Sequence, residues 1–386
     1  MTRTYQIISG DGHLELPPED FLPYVPERHR DRTPRRIRTP DGGDAWLVEG
    51  QPLIHTGAVL TADRQVLPRG RSYWNADGTR FPGAGPPQQR LAEQDRDGID
   101  AEVLYPPVMV RQALAGISDT EAYVAIVQGY NTFLAESYCA VAPDRLLGVP
   151  VIPNRGIDVA IAELRRCHAL GLKAVALTDF PSGKPVVSAE DDPFWATALE
   201  LGMPLAAHTH FGNPYPPGIS GAQSDAPPLA GMICSRQALQ RPLWTVAQLM
   251  VTGVFDRFPE LRIYFAETNA GWLPLALEQV DENYEIYEHT LAKKLAMKPS
   301  EYIARHVLFG FIIDKAILRD FDRVPVDNLM WGSDFPHSVN TWPNSRQWLD
   351  DAFADVDPGI RRKICLETPA SYFHLDTSAE LTPTPA

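Results

Sequence analysis

Eight short runs of apolar and β-branched residues recur along this chain, most of them followed by a longer stretch whose apolar residues return every three or four positions. They are Tyr5–Ser9, Glu102–Tyr105, Leu146–Ile152, Ala174–Thr178, Pro204–His208, Arg262–Ala266, Val307–Ile312 and Leu329–Gly332. Runs of this length read as strands. The stretches between them, such as Thr120–Cys139, Ile157–Leu170, Pro193–Leu201, Leu229–Thr252, Pro274–Lys294, Lys315–Phe321 and Ser345–Phe353, read as amphipathic helices. About eight strand–helix units close into a parallel barrel, so the expected fold is α/β, a (β/α)8 TIM barrel over residues 1–375 as a single domain. With 386 residues, 44% of them hydrophobic, the chain can fill such a core.

One region breaks the period. From Leu16 to Arg90, Pro, Gly and Arg are dense, and only Ala45–Val48 and Pro52–His55, joined through Glu49-Gly50-Gln51, suggest a hairpin. Residues 16–90 are therefore expected as an insertion, or lid, after strand one that covers the barrel mouth, with Trp46, Tyr73, Trp74 and Phe81 as packing residues. Residues 376–386 read as a flexible tail.

The 35 Lys and Arg against 49 Asp and Glu give a net charge of −14, which argues against nucleic acid and anionic membranes as partners. The basic run Arg28 to Arg38 lies in a Pro-rich loop without interleaved aromatics and reads as a solvated or salt-bridged loop. No signal-peptide pattern and no apolar run of membrane length is present, and Cys139, Cys167, Cys234 and Cys365 lack metal or iron–sulfur spacing. A cytoplasmic location is the expectation.

Polar clusters stand at the carboxyl ends of the strands, where a barrel of this kind holds its reactive groups: Asp11-Gly12-His13-Leu14-Glu15, His208-Thr209-His210, Glu267, Asp334 and His337. In an extended chain, side chains alternate, so Asp11, His13 and Glu15 project together, as do His208 and His210. Such spacing suits metal ligation. The solitary His29, His55, His168, His289, His306 and His374 read as surface or satisfied core residues.

These motifs resemble the amidohydrolase superfamily, in its amidohydrolase-related branch that includes metal-dependent decarboxylases of aromatic acids. The resemblance is carried by Asp11-Gly12-His13, by Pro204 to His210, by Phe258-Pro259-Glu260-Leu261-Arg262 leading to Glu267 through Pro274, and by Trp331-Gly332-Ser333-Asp334-Phe335-Pro336-His337. It implies that His13, His208 and Asp334 bind a divalent metal. The pattern departs from the family where Glu267 replaces a His at the end of strand six and where Glu15 lies in phase with His13. Lys173 lies at the start of strand four, not at its end where binuclear hydrolases carry a bridging Lys, and reads as structural.

Asp11, His13, Glu15, His208, His210, Glu267, Asp334 and His337 together outnumber the roughly three protein ligands of one catalytic zinc. Two ions sharing a carboxylate could use them, and a His and carboxylate set without thiolate suits iron or manganese as well as zinc. The carboxylate-rich pattern resembles the dinuclear non-haem iron oxygenases of the superfamily, among them one of the platensimycin pathway. The first expectation is therefore a monooxygenase with two Fe ions that hydroxylates a C–H bond of a small, natural-product-like substrate. Glu267 would bridge the ions, and an external electron donor would supply reducing equivalents. The alternative is a mononuclear Zn or Mn hydrolase or non-oxidative decarboxylase with Glu267 or His210 as general acid or base and Asp334 at the reacting centre. A barrel that has lost catalysis and a hydrogen-bonded polar plug are the remaining readings. Asn213, Tyr215, Asn269, Trp272, Trp342 and Asn344 are the expected pocket residues, and a homodimer is the expected assembly.

Overall fold

The computed structural model describes residues 4–67, 69–208, 211–212, 241–291 and 293–384. Eight parallel strands form the centre: β1 Ile8–His13, β2 Ala101–Tyr105, β3 Leu146–Gly148, β4 Val175–Leu177, β5 Leu205–Ala207, β6 Ile263–Phe265, β7 Val307–Phe311 and β8 Leu329–Trp331. β1, β2 and β3 pair in that order, and β4 to β8 pair in sequence. Parallel bridges from Val151 to Ala176 and from Gly12 to Phe335 join the two arcs into a closed ring. This is the (β/α)8 barrel.

Strands covered on both faces need apolar residues at every position, which is why Val-Ala-Leu, Leu-Ala-Ala, Ile-Tyr-Phe and Leu-Met-Trp serve here. Alternation divides them between two cores. Ala176, Ala206, Tyr264, Leu308 and Met330 pack together inside the barrel, while Val175, Leu177, Phe265 and Trp331 pack outward in the core that includes the surrounding helices.

The observed β1 begins and ends later than Tyr5–Ser9, so Asp11 and His13 lie within the strand and not beyond it. Gly10 and Gly12 hide the strand from propensity, yet both are required there. A Cβ on Gly10 would stand 2.7 Å from the Tyr264 hydroxyl, and one on Gly12 would stand 2.2 Å from Glu102 Oε1. Lys315–Phe321, expected as a helix, forms only the short 3-10 turn Ile317–Arg319 and the start of a second at Phe321. Conversely, residues 87–97, assigned in part to the insertion, form an 11-residue helix, Pro87–Asp97, opened by its Pro and closed by Gly98 in the left-handed region. Of the expected helix Leu229–Thr252, the described part is Arg241–Val251.

Between β1 and that helix the chain builds a three-stranded antiparallel sheet from Arg35–Arg38, Asp44–Val48 and Gln51–His55. The tight turn between the last two places Glu49 and Gly50 at φ 45° and 80°. Trp46 and Tyr73 are fully buried and joined by a 2.8 Å hydrogen bond. The layer reaches the barrel mouth where Thr61 Oγ1 donates to the Pro336 carbonyl and Glu15 N donates to that of Gly83. The segment after Leu375, expected to be flexible, is docked through residue 384. Leu381 is buried, Thr382 N donates to Asp144 Oδ2, and Arg145 Nη1 donates to Thr384 Oγ1. Among the described residues no helix is long and apolar enough to cross a membrane.

Asp97 ties the helix Pro87–Asp97 to the helix Ser345–Ala352, accepting from Ser345 N at 2.7 Å and from Ser345 Oγ at 2.6 Å. Burial pushes its carboxyl up to about 6, against the Ser345 hydrogen bonds. Between its unfolded value near 4 and this value the folded state holds more protons than the unfolded one, so this contribution to stability falls as pH rises through that window. Asp97→Asn is expected to exceed the wild type in stability at pH 8 by about 1–3 kcal/mol and to lose that advantage by pH 4, as measured by urea unfolding at each pH.

Candidate metal centre

The site begins with a bulge. Ser9 pairs with Glu102 and Gly12 with Leu104, so β1 carries one residue more than β2 over this stretch. Asp11 and His13 are buried at its end, and the Asp11 carbonyl accepts from Asp334 N, which anchors the loop after β8 directly on β1. That approach needs Gly332, whose added Cβ would lie 2.4 Å from Asp11 Cβ.

Four donors converge: Asp11, His13, His208 and Asp334, with one ligand atom of each within 4.8 Å of the others. His13 Nε2 and His208 Nε2 face each other at 3.1 Å. Asp11 Oδ1 is 3.6 Å from the first and 3.8 Å from the second, and Asp334 Oδ1 is 3.6 Å from His13 Nε2. Bonds of about 2.1 Å to one ion would space adjacent ligands about 3.0–3.4 Å apart, close to what is seen. Both Asp11 oxygens and Asp334 Oδ2 are buried without a hydrogen-bond donor. Burial, then the carboxylates of Asp334 and Glu267, push Asp11 well above the usual carboxyl range. Burial and neighbouring imidazoles push His13 well down and His208 down to about 3. Neutral imidazoles and crowded carboxylates with unfilled lone pairs fit a divalent cation.

Glu15 and His337 take a different part. His337 Nε2 lies 3.1 Å from Glu15 Oε1 and Nδ1 lies 3.0 Å from Asp334 Oδ1, so both ring nitrogens face carboxylates. Burial would lower His337, but Asp334 and Glu15 together raise it well above its ordinary value. Glu15 Oε1 also accepts from Val108 N at 3.0 Å. His13, Glu15 and His337 do form a second group of closely spaced ligand atoms, but it shares His13 with the first. The arrangement is an imidazolium strap that orients Asp334.

Glu267 reaches the same mouth, with Oε2 at 3.4 Å from His208 Nε2 and its side chain 30% exposed. Glu267, Asn269 and Asp334 adopt φ of 54°, 53° and 55°, a left-handed conformation uncommon outside glycine and concentrated at functional sites. Asp314 holds the turn after β6 by accepting from Ala270 N and Gly271 N, each at 2.7 Å. His210, Asn213 and Tyr215 lie outside the described residues. Trp272 donates back to the Thr268 carbonyl and Trp342 packs on Phe335. His306 stacks on Phe255, away from the mouth.

Arg90 and Glu102, to which the sequence pattern assigned no part in the site, complete the support. Buried Arg90 donates to Glu102 Oε2 at 2.8 Å, to the His13 carbonyl at 3.0 Å and to the Phe335 carbonyl at 3.1 Å, pinning β1 to the loop after β8. The available signal was Glu102, a carboxylate inside an otherwise apolar strand. A cavity of about 320 Å³ opens from His13 and His208 toward the ends of β2, β3 and β4, lined chiefly by apolar side chains including Tyr105, Val110, Val151 and Leu177.

Residues 11–375 match the amidohydrolase family model. The chain belongs to this family. Among curated relatives, the γ-resorcylate decarboxylase of Rhodococcus jostii (strain RHA1) is 25% identical over 309 residues, 74% of this chain and 87% of that protein. An amidohydrolase of Mycobacterium avium subsp. paratuberculosis K-10 superposes with a TM-score of 0.71 at 18% identity, covering 96% of this chain and 99% of its own. The dihydroxybenzoic acid decarboxylase of Polaromonas sp. JS666, with bound manganese and the inhibitor 2-nitroresorcinol, gives a TM-score of 0.62 at 18% identity, with 96% and 97% covered.

These likenesses overturn the expected dinuclear iron monooxygenase, together with its two Fe ions and its external electron donor. The Rhodococcus and Polaromonas relatives are decarboxylases, not oxygenases, and the Polaromonas structure holds manganese. The inventory that suggested two ions counted Glu15 and His337, which this amidohydrolase barrel pairs with each other.

Titration with Mn²⁺ is expected to saturate at one equivalent by calorimetry and elemental analysis. Arg90→Ala is expected to weaken that binding about 10–100-fold. Two saturating equivalents in the wild type would contradict the geometry.

Proposed function

We propose that this chain is a metal-dependent, non-oxidative decarboxylase of a hydroxylated aromatic acid. One observation carries the reading: the convergence of Asp11, His13, His208 and Asp334, two of which form the wall of an apolar cavity. The decarboxylase relatives support it. A mixed imidazole and carboxylate set without thiolate suits one Mn or Zn ion. Asp11, His13, His208 and Asp334 would hold such an ion, which would supply positive charge toward the substrate carboxylate.

The chain's own residues do the rest. Asp11, His13 and Asp334 hold fixed positions because Arg90 and the two close glycine contacts leave β1 and the β8 loop little room to move. His337 keeps Asp334 oriented from the other side, with Glu15 behind it. Tyr105 packs against the rings of His13 and His208 and, with the apolar cavity wall, excludes water from one face.

Decarboxylation breaks the bond between ring and carboxylate. The electron pair stays on the ring carbon, CO₂ leaves, and a proton must arrive at that carbon. We assign its delivery to Glu267, which stands at the mouth beside His208 and reaches solvent for reprotonation.

Glu267→Gln is expected to lower CO₂ release about 10²–10⁴-fold while leaving bound metal unchanged. In D₂O the wild type is expected to place one deuterium on the ring carbon that lost the carboxylate, as read by NMR. Turnover is expected to proceed equally under strict anaerobiosis. Absence of CO₂ from every hydroxybenzoate tested with the Mn-loaded protein would reject the reading.

A further inference from the structure

Glu267 stands on a turn that its own sequence disfavours. Glu267 and Asn269 hold φ of 54° and 53°, a left-handed conformation that residues with a Cβ keep only where their surroundings impose it. The constraint comes from outside the turn. Thr268 N donates to the Gly310 carbonyl at 3.0 Å, and Ile312 N donates to Asn269 Oδ1 at 3.5 Å, so two residues of the turn lean on β7 and the residue after it. Asp314, three residues beyond β7, holds the next part of the turn. Its Oδ2 accepts from Ala270 N and Gly271 N, both at 2.7 Å, and its Oδ1 accepts from Ala316 N at 3.1 Å and Ile317 N at 3.2 Å. Both oxygens of this buried side chain are thus committed, one to the turn after β6 and one to the loop after β7.

The fit suits neither an amide at 314 nor a side chain at 271. A carboxylate presents only acceptors, whereas the NH₂ group of an asparagine would face two N–H groups and forfeit two of the four bonds. A Cβ on Gly271 would stand 2.6 Å from Ala316 Cβ and 2.8 Å from Asp314 Oδ1. Such exact placement matters to a proton donor, because a displacement of about 1 Å can cost about 10²-fold in rate. We infer that Asp314 is a positioning residue that clamps the turn of residues 267–271 and so aims the Glu267 carboxylate at the mouth beside His208, a role that rests on the decarboxylase reading in which Glu267 delivers the proton. A carboxylate that did no more than satisfy buried amides would stabilise the fold without regard to Glu267.

The test uses Mn²⁺-loaded protein, 2,6-dihydroxybenzoate as substrate, and the variants Asp314→Asn, Gly271→Ala, Glu267→Gln and the double variant of Asp314→Asn with Glu267→Gln. Asp314→Asn is expected to lower kcat for CO₂ release about 10–100-fold while KM and bound Mn²⁺ stay unchanged. In the Glu267→Gln background the same change is expected to cost less than about three-fold, because a residue that acts through Glu267 then has nothing left to position. Equal losses in both backgrounds would overturn the inference, as would an unchanged kcat. Crystal structures of Mn²⁺-loaded Asp314→Asn and Gly271→Ala supply a readout that needs no turnover. The Glu267 carboxylate is expected to shift by about 1 Å or more from its wild-type position while Asp11, His13, His208 and Asp334 superpose. A displaced Glu267 without CO₂ from the wild type rejects the decarboxylase reading and upholds the clamp, whereas wild-type CO₂ release with Glu267 in place in both variants does the reverse.

Discussion

Two carboxylates, Asp11 and Asp334, are buried at the barrel mouth with three of their four oxygens lacking a hydrogen-bond donor. An ionised carboxyl in that position is tolerated only beside positive charge, because neither water nor a neutral donor is there to replace its hydration. His13 and His208 do not provide that charge, since burial and their neighbours hold both rings neutral. His337 provides part of it, through a strap to Asp334 and Glu15. The remaining imbalance sits where four ligand atoms point at one another, and the chemistry of the mouth follows from it.

Keeping like groups this close requires a rigid frame, and the frame is backbone more than side chain. The bulge in β1 aims Asp11 and His13, and the bond from Asp334 N to the Asp11 carbonyl sets the spacing of the two acids. Gly12 and Gly332 allow the main chains to approach, since any side chain there would collide with Glu102 or Asp11. Arg90 then satisfies the carbonyls of His13 and Phe335 while pairing with Glu102. A buried arginine with such partners contributes geometric specificity to the site more than it contributes stability.

A count of ligand-type residues overstated the number of ions because it could not see which residues bond to one another. Glu15 is in phase with His13, as alternation requires, and both are buried. Yet Glu15 Oε1 turns to Val108 N and His337, so it supports the loop after β8, and the ligand group it forms with His13 and His337 shares His13 with the first. Loop residues expected to line the pocket near β6 and β8 misled for a similar reason. Trp272 donates to the Thr268 carbonyl, and Trp342 packs on Phe335 and lines a separate cavity with Asn344, while the cavity that His13 and His208 line lies on the other side, under the helix Val108–Ala115.

Periodicity alone was enough to assign the eight-strand barrel, because strands covered on both faces must be apolar throughout and the helices between them must alternate every three or four residues. Residue chemistry was likewise enough to bring Asp11, His13, His208, Glu267 and Asp334 to one rim, since strand ends converge in a closed barrel whatever the loops do. The end of β1 was hidden by Gly10 and Gly12, and the helix Pro87–Asp97 was obscured by the Pro- and Gly-rich sequence before it. Only the folded chain decided that His337 straps Asp334, that Arg90 clamps β1 to the β8 loop, and that the cavity lined by His13 and His208 lies toward β2 to β4. Those are contacts between residues as many as 322 positions apart, and a linear sequence shows which groups exist, not which of them meet.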